Sequence, residues 1–212
     1  MSPRPQIDHV RRPQLLEAAA GVIAERGIAA TRIADVAERA GTSPPAVLYW
    51  FDSKDELLAE ALTVDEERFY GKLTERLETL DSPRERLRLL LESSAEEYDS
   101  RLWMEIWTRA LRDRSTRRVR RRLDQRWRAQ IAEVIRDGQN AGEFGEADPD
   151  DVALLLASLI DGLAVQVTLG DPDVPKERML ARVVDVAEKL IATELGPVET
   201  AVVGSRGENE DG

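Results

Sequence analysis

Apolar residues along this chain recur at spacings of three and four, and no stretch alternates apolar with polar over strand lengths, so the pattern predicts helices throughout and no strand. Leu15, Leu16, Ala19, Val22 and Ile23 mark a first helix over about residues 10–26, with Gly27 as its C-cap. Ile33, Val36, Ala37 and Ala40 mark a second, capped by Thr31 and stopped by Gly41. A third starts within three residues, because Ser43 can cap it and Pro44 stands at the first position, where a missing N–H costs nothing. Ala37 and Gly41 are both small, which predicts a close crossing of these two short helices. Val47, Leu48, Tyr49, Trp50 and Phe51 crowd the end of the third. Ser53-Lys54-Asp55-Glu56 then forms a capping box, opening a long helix past Leu57, Leu58, Leu62, Phe69, Leu73 and Leu77 to about residue 80.

The same periodicity continues. Ser82, Pro83 and Glu85 supply an N-cap, an N1 proline and a capping-box carboxylate for a helix bearing Leu87, Leu90, Leu91, Ala95 and Tyr98. Trp103, Ile106, Trp107, Ala110 and Leu111 mark the next, and Leu123, Trp127, Ile131, Val134 and Ile135 mark a long one over about residues 115–140. Asp148-Pro149 opens the most apolar helix. Ser158, Asp161, Gly162, Gln166 and Thr168 interrupt it, which predicts a buried helix and not a membrane span. Val174-Pro175 opens the last, with Leu180, Val183, Val184, Ala187, Leu190 and Ile191. The expected fold is all-α with about nine helices. Residues 1–9 read as a flexible arm, 10–56 as a three-helix head, 57–195 as a helical body, and the polar, acidic residues 196–212 as a disordered tail.

Two short helices joined by a tight turn, here over about residues 32–51, are the helix-turn-helix arrangement, whose second helix offers its N-terminal residues to base edges in the major groove of double-stranded DNA. The run TRIADVAERAGTSPPAVLYWFDSK at residues 31–54, continued by Asp55-Glu56-Leu57, resembles the DNA-binding domain of the tetracycline-repressor (TetR) family. Carried over by position, the resemblance implies DNA contacts at Ser43, Pro45, Ala46, Tyr49 and Trp50 and a phosphate contact at Lys54. Thr31 and Arg32 are further candidates for phosphate, with a pure capping role as the other reading of Thr31, and packing on the first helix as the other reading of Trp50. Leu48 stands where many members have tyrosine, and Pro44-Pro45 replaces a frequent Lys-Gly, removing a charge and two backbone donors. Base readout is therefore expected to lean on thymine methyls and groove shape.

Residues 103–113 (WMEIWTRALRD), 126–144 and 159–163 (LIDGL) resemble the BetI-type C-terminal domain. The family resemblance implies a repressor that binds a palindromic operator as a homodimer through its last two helices, about 149–169 and 175–195, and that a small molecule releases. Tyr98, Trp103, Trp107 and Trp127 are the candidate lining of an effector pocket for a mostly apolar small molecule, with Asp161 as polar anchor. Aromatic faces beside a carboxylate hold protonated or quaternary amines, so a cationic effector is one reading; a structural bond for Asp161 and core packing for the aromatics is the other.

Composition changes this picture in two places. The net charge of −11 argues against nucleic acid until its distribution is read: residues 1–54 hold seven Lys or Arg against six Asp or Glu, leaving 23 bases against 35 acids in the remainder. The ten arginines between 109 and 128 read as a solvated helix face paired with carboxylates, not as a second DNA site. The absence of cysteine excludes disulfides, thiolate catalysis and Cys-type zinc sites and suits a reducing cytoplasm. No apolar stretch near the N-terminus suggests a secretory signal. With His9 the sole histidine and no phosphate loop or metal-spaced cluster, no catalytic residue, metal or cofactor is expected. The reading from a different class is a helical small-molecule-binding or scaffold protein that keeps this fold without reading DNA.

Overall fold

The computed structural model describes residues 12–96 and 100–196, which form nine helices and no strand. They are α1 (Arg12–Ala30), α2 (Ile33–Arg39), α3 (Pro44–Trp50), α4 (Lys54–Glu78), α5 (Pro83–Glu96), α6 (Ser100–Ala110), α7 (Arg114–Asn140), α8 (Pro149–Thr168) and α9 (Lys176–Ile191). The expected arm, nearly all of the tail, and Tyr98 lie outside the described residues.

Two apolar cores form, and α4 belongs to both. In the head, Leu15, Ala19, Val22 and Ile23 of α1 pack with Val36, Ala37, Val47, Phe51 and the first turns of α4 at Leu57, Leu58, Ala61 and Leu62. Further along α4, Tyr70, Leu73 and Leu77 enter the body core with Leu87 and Leu90 of α5, Ile131 and Ile135 of α7, Leu156 and Ile160 of α8, and Val183 and Ala187 of α9. Ile106 of α6 is buried within the head core although it comes from the body half of the chain.

The helix ends follow the chemistry of their caps, with local corrections to the sequence reading. Ser53 Oγ accepts the Glu56 N–H at 3.1 Å, while the Glu56 carboxylate reaches past Ser53 to accept the Asp52 N–H at 2.7 Å. Asp113 caps α7 by accepting the Thr116 N–H at 2.6 Å, and Asp148 caps α8 through the Asp150 and Asp151 N–H groups. Thr31 does not cap α2: Arg32 is the cap residue, its N–H donates to Asp35 at 3.1 Å, and the buried Thr31 hydroxyl donates to the Gly27 carbonyl at 2.7 Å. Gly27 interrupts α1 at φ 76° and ψ 166°, after which the chain makes one more helical turn to Ala30. Gly41 is required by its φ of +66° and not by close packing, since a β-carbon there would meet nothing within 4 Å.

Only one face of α8 is buried as expected. Val152, Leu156, Ile160 and Ala164 enter the core, but Leu154, Leu155 and Leu169 are 44%, 54% and 71% exposed.

Gly138 in α7 lies against the Phe144 ring, which a β-carbon would strike. Helix propensity alone would favour alanine there by about 1 kcal/mol. Gly138→Ala is expected instead to lower stability by about 1–3 kcal/mol, because overpacking outweighs propensity. A lower urea midpoint at unchanged slope is the measurement.

Candidate nucleic-acid interface and effector cavity

The head presents α3 outward. Leu48 and Tyr49 are 51% and 68% exposed; Trp50 is 37% exposed and stands edge-on to Tyr49, centroids 5.8 Å apart, outside the head core. Behind them Phe51 anchors the helix end in the core, with the Arg12 guanidinium 5.0 Å from its ring centroid. Prolines at the first two positions of α3 contribute no N–H, and the Ala46 and Val47 N–H groups both return to the Ser43 carbonyl. The start of α3 thus has no spare backbone donor among these four positions, and Ser43, the N-cap, makes no side-chain cap bond.

Of the expected DNA-contact residues, Arg32, Pro45, Tyr49 and Trp50 are exposed, and Ser43 and Lys54 are half-buried. Thr31 and Ala46 are buried, Thr31 because its hydroxyl turns back to the α1 break and Ala46 because its methyl faces away from solvent, so neither side chain lies on the outer surface. Lys54 begins α4 close to Arg32 and Arg109: burial first, then the Arg109 and Arg32 charges, pull its pKa below the usual lysine value, against the opposing pull of Asp35. These three cations make a local positive field on a head that is otherwise near neutral.

A body helix reaches the same region. Glu105 of α6 accepts the Ala29 N–H at 3.0 Å just after the Gly27 break, and Arg109 pairs with Asp55 beside Lys54.

Between α4, α6, α7 and α8 lies a cavity of about 480 Å³. Phe69, Tyr70, Trp103 and Trp127 give it aromatic walls, with the Phe69 and Trp127 centroids 6.4 Å apart, and Glu66, Asp124 and Asp161 bring carboxylates to it. Burial raises the pKa of Glu66 against the pull of Arg126 and Arg122, and raises that of Asp124 against Arg120 and Arg128. Trp103, Trp127 and Asp161 are brought together here as the sequence suggested. Trp107 is not: its ring centroid lies 6.5 Å from that of Trp103, but it does not line the cavity, and its indole N–H is buried.

Residues 15–61 match the model of the bacterial regulatory proteins of the tetR family, and residues 83–192 match that of the BetI-type transcriptional repressor C-terminal domain. The chain belongs to the TetR family. It is 26% identical over 196 residues to the HTH-type transcriptional regulator BetI of Burkholderia mallei, across 90% of this chain and 98% of that one. A transcriptional regulator from Saccharomonospora viridis, solved in complex with choline, matches with a TM-score of 0.71 and 34% identity over 84% of this chain and 95% of its own. A TetR-family regulator from a Rhodococcus species matches with a TM-score of 0.71 and 28% identity over 85% and 97%. TetR proteins are ligand-responsive DNA-binding transcriptional regulators, and this member is a regulator and not an enzyme.

The sequence reading did not include the wall of the cavity that α4 supplies. Glu66, Phe69 and Tyr70 all come from α4. The signal was present: Glu66 falls four residues after Leu62, three before Phe69 and seven before Leu73, a carboxylate in register with an apolar stripe. Leu48, first noted as a departure, is among the most exposed apolar side chains of the head.

Lys54→Glu is expected to abolish promoter binding in a gel shift. Fold and oligomeric state should survive, because a carboxylate in the first turn of α4 suits the helix dipole and the neighbouring Arg32 and Arg109. Unchanged DNA binding would remove Lys54 from the interface and favour the scaffold reading.

Proposed function

We propose that this chain is a homodimeric repressor whose two heads read a palindromic operator through Arg32, Ser43, Pro45, Tyr49, Trp50 and Lys54, and that a small amine of the choline class, entering the body cavity, releases it. The observation that carries the reading is the placement of α4: it starts at Lys54 in the head and brings Glu66, Phe69 and Tyr70 to the cavity. Cavity contents and head orientation thus share one helix. A ligand that prefers one tilt of that helix changes the separation of the heads, and coupling requires no more than that preference. Aromatic walls with carboxylates are the chemistry for a quaternary or protonated amine, and the choline held by the S. viridis relative supports that class. At about 480 Å³ the cavity admits choline with water or a larger amine.

The dimer reading rests on α8. Asp151, Leu155, Ser158, Gly162, Gln166 and Leu169 are exposed at steps of four, three, four, four and three, a stripe suited to helix-on-helix packing. A β-carbon at Gly162 would meet nothing within 4 Å in one chain, which leaves room for a partner helix to approach. With α9 this gives a four-helix interface, a head at residues 10–56 and a ligand-binding and dimerisation body at 57–195. Its DNA partner assigns its work to the cytoplasm.

The decisive experiment retains fragments of its own genome on the protein and adds choline. Release of the bound operator at concentrations that leave unrelated DNA-binding proteins untouched is expected; retention at saturating choline would overturn the effector class. Leu155→Glu tests the dimer. Placing a charge in the stripe is expected to raise the dimer dissociation constant at least about a hundred-fold, about 2.7 kcal/mol, with loss of operator binding, read by sedimentation and gel shift.

A further inference from the structure

Glu66 is the unusual carboxylate of the cavity. Its side chain is 6% exposed, and neither oxygen accepts a hydrogen bond among the described residues. The nearest cations, Arg122 Nη2 and Arg126 Nη1, stand 3.7 Å away, at ion-pair distance and no closer. Arg126 makes its shorter contact elsewhere, to Glu67 at 2.9 Å, and its guanidinium lies 3.9 Å from the Tyr70 ring centroid. The other carboxylates differ. Asp124 is paired with Arg120 at 2.7 Å, and Asp161 has a polar partner of its own.

A quaternary ammonium donates no hydrogen bond. It needs a negative charge within a few ångströms and aromatic faces around its methyl groups, and a carboxylate engaged in hydrogen bonds offers it less charge. We infer that Glu66 is the counter-ion of the cationic effector, and that Arg126, beside Glu66 and stacked on Tyr70, is the internal cation that holds this charge while the cavity is empty. This rests on the amine-effector reading above and adds the residue that senses the charge. When the ligand's cation arrives, Glu66 is shared and Arg126 retains Glu67. Because Glu66 belongs to α4, the change of partner occurs on the helix that carries the head.

The test uses the full-length protein on its operator, titrated with choline and with 3,3-dimethylbutan-1-ol, which has the same shape without the charge. The wild-type protein should bind choline at least about tenfold more tightly than the neutral alcohol, a difference of about 1.4 kcal/mol. Glu66→Gln keeps the side-chain volume and should lose most of that discrimination, read as the ratio of the two ligands' affinities within the variant so that any change in its operator affinity cancels. Arg126→Gln should tighten choline binding by removing the competing cation. If wild-type protein ignores choline, the effector reading and this inference fall together. If wild-type protein responds and Glu66→Gln discriminates as well as wild type, the inference alone falls, and Asp161→Asn then identifies whether Asp161 supplies the charge.

Discussion

The packing of Ile106 ties this structure together. It is 2% exposed within the head core, yet it comes from α6 and also lines the body cavity. A helix whose buried residue is shared by two cores cannot shift in one without disturbing the other, because close-packed interiors transmit displacement rather than absorb it. Two polar contacts flank that point. Glu105 holds the Ala29 N–H after the Gly27 break in α1, and Arg109 holds Asp55 in the first turn of α4. Leu102 and Trp103, one turn back on α6, touch both the cavity and the head core. The long α4 is one connection between the two cores. The structure adds α6 as a second connection, fastened at both ends of the head's outer helices.

What could be read from the chain was whatever depended on local rules. Gly27, Gly41, Ser53 and Asp148 punctuate helices through φ/ψ freedom or an oxygen at an N-cap, and each acts within a turn or two of its own position. Thr31 was misread for the same reason in reverse. Its hydroxyl had two acceptable local uses, and only the geometry of the α1 break, which brings the Gly27 carbonyl within 2.7 Å, selects the one adopted. The cavity depended on which faces of four helices converge. Trp103 and Trp107 are one turn apart on α6 and look equivalent in sequence, but only Trp103 lines the cavity. Glu66 was legible as an interruption of an apolar stripe, although nothing local distinguishes a charged rim residue from one whose side chain is sealed to 6% exposure.

The arginines of α7 illustrate how a charge run acquires meaning from its partners. Arg120 pairs with Asp124, Arg126 with Glu67, and Arg117 donates to the Ala110 and Leu111 carbonyls at the end of α6. Exposed pairs of this kind contribute little individually, about 0–1 kcal/mol. Their effect is positional: Arg120 and Arg126 neutralise acids of α7 and α4 around the cavity, and Arg117 fixes the end of α6.

The head reads as one built for phosphate attraction and shape. Two prolines remove backbone donors from the start of α3, and the surface beyond them is Leu48, Tyr49 and Trp50, whose outward area is largely carbon. Such a surface discriminates thymine methyls and groove width better than it discriminates hydrogen-bonding edges. Arg32 and Arg109 stand near Lys54, and their charges add to burial, the larger cause, in holding its ammonium below the ordinary lysine pKa, against the pull of Asp35. A phosphate placed among the three would offset the part of that shift that comes from charge. The residues after 54 hold 23 bases against 35 acids, so under the operator reading this cluster is set against an acidic remainder, which favours approach of the duplex from the head side.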